Sequence, residues 1–149
     1  MSFLLTYTKE GRTKELTQLK ELLQEDIGLS TEIYLGYIPK GQPTDSTGVK
    51  AETGNYVLPS FIANCREAYF EASLLQLTGG TVAIELYDAT SGAVIASITL
   101  SATSYRSRTS NIIGRLVAGH EVRARFNVTT AGAAGSVGGD SDIRLIFKF

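Results

Sequence analysis

The chain has 149 residues, with one Cys, one His, no Trp, and 14 basic against 15 acidic side chains; this is the size of one domain able to bury its own core. A single cysteine excludes an internal disulfide framework and a Cys-rich zinc site, and a single histidine excludes a multi-His metal centre within one chain. The net charge of −1 removes the strongest electrostatic argument for a nucleic-acid partner, so none is expected, and with neither a metal-ligand set nor a cofactor motif no cofactor is expected.

The first residues carry only a three-residue apolar run, Phe3 to Leu5, without the basic start and the stretch of roughly 7–15 apolar residues of a secretory leader. No window approaches the roughly 18–20 apolar residues that cross a bilayer, so no membrane partner is expected. From Arg12 to Asp26, Leu16, Leu19, Leu22 and Leu23, followed by Ile27, form a narrow stripe at helical spacing, with Gly28 as a stop. Four turns with one apolar stripe are marginal alone. Leu16, Leu19 and Leu23 must therefore pack, either on the rest of the chain or on a partner. Ser30 to Ile38 alternates loosely and reads as a strand, which closes an N-terminal segment over 1–38.

Residues 39–56 hold two of the three prolines and few apolar groups, the composition of a linker or an extended arm. From residue 57 to 149 the pattern is β. Pro59 restricts the segment 56–62 to an edge or the start of a strand. Strands are expected over Arg66–Leu77, Thr81–Asp88, Val94–Leu100, Ser110–Leu116, Val122–Val128 and Ile143–Phe149. In the strand after His120, Val122, Ala124, Phe126 and Val128 alternate with Arg123, Arg125 and Asn127, the signature of a half-buried strand. Short strands without intervening helices define a mainly β fold, an antiparallel β-sandwich or jelly roll, here with one N-terminal α-helix and an extended arm.

Few residues carry chemistry. His120 has no Gly-x-Ser-x-Gly elbow and no flanking motif to build a nucleophilic triad, and reads as a turn or surface histidine. Cys65 likewise lacks a motif, and Asn127-Val-Thr129 fits the glycosylation pattern inside an expected strand. The Gly-rich run 130–140 lacks a Gly-Lys-Ser/Thr ending and joins two strands, so it reads as a hairpin loop rather than a phosphate cradle. Asp140 and Asp142 supply two carboxylates, where calcium takes six to eight oxygens.

Two groups of residues are candidates for contact with partners. Arg123 and Arg125 share one strand face, in a half of the chain (residues 73–149) that holds seven basic and five acidic side chains. They form a basic ridge that is either solvated or paired with acidic groups of another subunit. Tyr56, Tyr69, Tyr87 and Tyr105 are candidates for a sugar-stacking platform, together with the 130–142 loop.

Five stretches, Ala68-Tyr-Phe-Glu-Ala72, Ala83–Ala93, Ser101–Ser110, Gly119-His-Glu-Val-Arg-Ala-Arg125 and Ile143-Arg-Leu-Ile146, resemble a jelly-roll-like β-sandwich module of phage virion and tail proteins. The resemblance implies a virion structural protein of the capsid decoration or cement type, made in the host cytoplasm. Its expected partners are further copies of itself, often as a trimer, and other virion proteins. The alternative it implies is a carbohydrate-binding module of a tail, fibre or adhesin, with glycans as partners. It transfers no catalytic residue. The expected function is therefore adhesive and non-enzymatic, with Leu16, Leu19, Leu23, Arg123 and Arg125 as interaction residues.

Overall fold

A computed structural model describes residues 29–149; the helix expected over Arg12–Asp26, with Leu16, Leu19 and Leu23, lies outside them. Twelve strands follow one another in the described chain: β1 (Ser30–Ile38), β2 (Gln42–Pro43), β3 (Gly48–Glu52), β4 (Tyr56–Val57), β5 (Glu67–Leu74), β6 (Gln76–Leu77), β7 (Thr81–Asp88), β8 (Ala93–Leu100), β9 (Ser104–Arg108), β10 (Glu121–Thr130), β11 (Val137–Gly139) and β12 (Ser141–Lys148). One sheet has the order β1-β12-β5-β9. A second has the order β3-β10-β7-β8, with β4 also on β10, and a small third sheet has the order β2-β11-β6. Every pairing is antiparallel.

The pairing has a simple logic once the four shortest strands are set aside. Of the remaining eight, the first pairs with the last (β1 with β12), the second with the seventh (β3 with β10), the third with the sixth (β5 with β9) and the fourth with the fifth (β7 with β8). This is one long two-stranded ribbon, closed at the β7–β8 turn and rolled over itself. Rolling lays alternate sections of the ribbon into opposite sheets, which is the jelly roll. The antiparallel sandwich expected from the spacing of the strands is thus observed.

Alternation decides which face of each strand is inside. In β10, Val122, Ala124 and Phe126 are fully buried, and in β12, Ile143, Leu145 and Phe147 are too. They meet Ala68, Phe70, Ala72 and Leu74 of β5 and Val82, Ile84 and Leu86 of β7 in one core. β1 alternates only loosely because it carries a bulge between Tyr34 and Gly36. The bulge shifts the inward positions to Leu35 and Ile38.

The two ends of the sandwich are closed differently. At the start of β10, a 3-10 turn over Ser60–Asn64 and another over Ile113–Arg115 bring Leu58, Ile62, Ile112 and Leu116 over the core. At the far end of β10, the small sheet forms the lid.

Two expectations need correction. Ser110–Leu116 is not a strand; β9 precedes it, and Asn111 Oδ1 accepts the amides of Ala68 and Ile113 where a strand would offer its backbone. Its apolar residues Ile112, Ile113 and Leu116 do not alternate, which suits a 3-10 cap. Residues 39–56 are also no free arm. β3 pairs with β10, β2 with β11, and Thr44 is fully buried with its hydroxyl donating to the Gly79 carbonyl at 2.7 Å. Backbone pairing, rather than apolar side chains, orders this polar run.

The Gly-rich segment after β10 is likewise part of the architecture. Gly132 lies directly against the backbone of Gly79 and Gly80, and a Cβ there would sit 2.6 Å from Gly79 C and Gly80 N. These atoms belong to the corner and have nowhere to go. Gly132→Ala is therefore expected to lower stability by about 1–3 kcal/mol in urea unfolding of the 149-residue chain. Gly54→Ala, whose Cβ would meet nothing within 4 Å, should change it by under about 0.5 kcal/mol.

Candidate functional site

The outer face of the β3-β10-β7-β8 sheet carries the arginine ridge expected from the alternation in β10. Arg125 bonds Glu85 Oε1 through Nε (3.2 Å) and Nη2 (3.0 Å), and Arg123 Nε lies 3.3 Å from Glu52 Oε2. Both guanidiniums stack over the Tyr87 ring, at 4.2 Å for Arg125 and 5.1 Å for Arg123. Cross-strand register explains this, because Arg125 faces Glu85 on one side and Glu52 on the other, while Arg123 faces Tyr87. The acidic partners of the ridge thus lie in its own sheet, and Tyr87 is covered by cations rather than open to a sugar.

His120 sits between the second 3-10 turn and β10, where its Nδ1 is 2.7 Å from Asp88 Oδ2. The same carboxylate accepts the amides of Thr90 and Ser91 through Oδ1, and the Thr90 hydroxyl accepts the Glu121 amide. The histidine therefore clamps the β7–β8 turn to the start of β10. Burial works to raise the Asp88 pKa, but the His120 contact and the hydrogen bonds from Ser91 outweigh it and hold the carboxyl below its ordinary 3.8.

Cys65 is half-buried with its thiol against the Phe61 carbonyl, and burial pushes its pKa up, so it is poorly disposed to act as a thiolate. Asp140 and Asp142 each accept a tyrosine hydroxyl, from Tyr37 at 2.9 Å and Tyr34 at 3.1 Å. No group of three or more His, Cys, Asp or Glu side chains is placed to hold a metal ion among the described residues.

The richest arrangement lies on the outer face of the β1-β12-β5-β9 sheet, and the sequence reading did not anticipate it. Glu71 points outward from β5, yet is only 2% exposed, because three arginines close over it. Arg108 donates from Nε and Nη2 to Glu71 Oε2 at 3.0 and 2.9 Å. Arg106 Nε is 3.1 Å from Oε1, and Arg144 Nε reaches the same oxygen at 4.0 Å while its Nη1 donates to Glu32. The row Tyr34, Arg144, Glu71, Arg108 runs straight across four strands by register. Arg108 and Lys148 also lie over Tyr69, at 5.1 and 5.5 Å.

Beside this row a cleft of about 150 Å³ is lined by Glu71, Ser73, Tyr105, Arg106, Asp142 and Arg144, together with Ala72 and Leu75. A signal for it existed in the sequence. Arg106 and Arg108 are two apart, as are Tyr69, Glu71 and Ser73, so each set shares one strand face. What the sequence withholds is the register that brings β9, β5 and β12 side by side.

The geometry of the described residues defines a jelly-roll domain with two internally charge-paired faces and a polar cleft. No protein-family model matches the chain, and no characterised protein matches it in sequence. Among solved structures, one described as "Structure of infectious bursal disease virus Gt strain" aligns over 83% of this chain at 10% identity and a TM-score of 0.37. This chain spans 34%, about a third, of the length of that one. At that score the likeness supports no functional assignment.

Arg108→Ala removes two hydrogen bonds to one oxygen of a buried carboxylate and should cost about 1.5–3 kcal/mol, whereas Arg106→Ala, whose side chain is 57% exposed, should cost under about 1 kcal/mol; urea titrations of both variants measure this. For Asp88, a folded-state pKa below its unfolded value means a contribution fully present above the unfolded pKa and lost as pH falls through the folded one. Asp88→Asn should therefore flatten the loss of stability as pH falls through and below the ordinary carboxylate value of about 3.9, measured as denaturation midpoint against pH.

Proposed function

We propose that the chain is a non-enzymatic structural subunit of a virion, of the capsid decoration or cement type, that holds an assembly together by contacts with further copies and with other virion proteins. The observation that carries the reading is the use of its reactive side chains. The single histidine anchors a turn through Asp88. The charged groups on both outer sheet faces are largely consumed in ion pairs within the chain. Such faces are rigid and electrically quiet, properties that suit a building block whose surface is presented to neighbours.

The resemblance of the β region to phage virion modules points the same way, and jelly rolls recur in viral capsids. Residues 1–28 join the sandwich at β1, an edge strand paired only with β12 among the described strands. In this reading the leucine stripe Leu16, Leu19, Leu23 supplies the apolar surface for contact with a second copy. Joining this contact to others through one chain raises avidity without new chemistry. The virion is accordingly the proposed location, after synthesis in the host cytoplasm.

Sedimentation velocity of the 149-residue chain and of residues 29–149 tests the proposal. The full chain should sediment as a closed oligomer, and the shortened chain as a folded monomer with an unchanged far-UV spectrum. A monomeric full chain, or oligomers that survive removal of residues 1–28, would contradict the mechanism.

A further inference from the structure

We infer that the open edge of β8 receives residues 3–8 of a second copy of the chain as an added strand. This rests on the proposed reading, in which residues 1–28 join copies, and it gives that contact an acceptor.

Among the described strands, β1, β9, β3 and β8 form the edges of the two main sheets. Three of them carry the charges with which a sheet edge ordinarily discourages a further strand. These are Glu32 in β1, Lys50 and Glu52 in β3, and Arg106 and Arg108 in β9. β8, Ala-Val-Ile-Ala-Ser-Ile-Thr-Leu, carries none, and neither a charged residue nor a proline occurs between Asp88 and Arg106. An uncharged run rich in β-branched residues, laid along a sheet edge, is a template for pairing with another chain.

The geometry of the edge limits where a strand can add. At its beginning the register skips Ile95, between Val94 and Ala96, and the Ile95 carbonyl accepts Arg115 Nη1 at 3.1 Å. That end is therefore closed. From residue 96 to 100 the register with β7 is unbroken, so every second residue turns its N–H and C=O away from β7. Among the described strands β7 is the one partner of β8, and these outward groups are the ones a further strand would bond.

The edge selects an uncharged segment whose apolar side chains alternate. Ala96 and Ile98 face the core, while Ser97 and Thr99 are exposed on the outer face. Residues 3–8, Phe-Leu-Leu-Thr-Tyr-Thr, fit this pattern, and every charged side chain of residues 1–28 lies at Lys9 or beyond. Laid along β8, Phe3, Leu5 and Tyr7 extend the core side beside Ala96 and Ile98. Leu4, Thr6 and Thr8 then share the outer side with Ser97 and Thr99. Residues 9–28 span up to roughly 66 Å when extended and about 30 Å as a helix, against a radius of gyration of about 14 Å for a domain of this size. The connection is long enough to carry the strand to a neighbour, and only a strand given to a neighbour joins copies.

The test uses the full chain with the photoreactive substitution Tyr7→benzoylphenylalanine. After illumination, the expected product has twice the mass of the chain and joins position 7 to β8. In parallel, hydrogen exchange of the unmodified chain is compared with that of two variants. One carries Ser97→Lys and Thr99→Lys; the other lacks residues 2–8 but keeps Leu16, Leu19 and Leu23. Both should speed exchange in β8 and weaken self-association about tenfold, while exchange in β7 and β10 stays unchanged and shows the sandwich folded. Adducts on any other element, adducts within a single chain, or β8 exchange unmoved by removal of residues 2–8 would overturn the inference. Sedimentation of the same samples separates the two readings. An oligomer whose adducts avoid β8 overturns the added strand alone, whereas a monomeric full chain overturns the assembly reading beneath it.

Discussion

The structure depends on one constraint: two halves of the chain must lie antiparallel along their whole length before they can roll. The ribbon begins where β1 meets β12 and ends at the β7–β8 turn, and every strand of the two main sheets has its position set by that pairing. Rolling the ribbon buries its apolar side once, between the sheets, so a single alternation of apolar residues suffices for the whole core. The cost is distance along the sequence. β1 finds its partner at the opposite end of the described chain, and loop closure of that kind makes folding slow relative to helical proteins of equal size.

The outer faces follow from the same register. Glu71 stands opposite Arg144 on one neighbouring strand and Arg108 on the other. A carboxylate removed from water in this way is tolerable only with such partners, and it stiffens the groups that enclose it. The Arg125, Glu85 and Tyr87 cluster on the other sheet repeats the arrangement with a stacked aromatic. Two faces with their charges largely paired leave, among the described residues, the exposed Tyr105 and Leu75 and the open sheet edges without such partners.

Much of this was legible in the sequence where one strand explains itself. Ser30–Ile38 and Thr81–Asp88 occupy the spans read from alternation, and the inward face of β10 follows the alternation of Val122, Ala124, Phe126 and Val128. Reading failed where order comes from outside the segment. Residues 39–56 have too few apolar groups to fold alone, and take their structure from backbone bonds to β10 and β11. The glycines after Thr130 suggested a loose hairpin, although close packing of backbone on backbone at Gly132 demands them. Arg123 and Arg125 were recognised as a ridge, but their partners Glu52 and Glu85 sit far away in sequence. The cleft is the extreme case, built from three strands whose adjacency no local pattern encodes.

The pairing of the ribbon is read directly by cross-strand proton contacts in NMR spectra of the labelled chain, Hα to Hα at non-hydrogen-bonded pairs and amide to amide at hydrogen-bonded ones. Proximity is expected between Ile33 and Leu145, between Phe70 and Leu145 and between Glu71 and Arg108 in one sheet, and between Ile84 and Ile98 and between Ala51 and Phe126 in the other. Finding all five establishes the rolled ribbon and, with it, the placement of Glu71 and the cleft. Strong contacts from β1 to any strand other than β12, or β5 without β12 at its side, would contradict it.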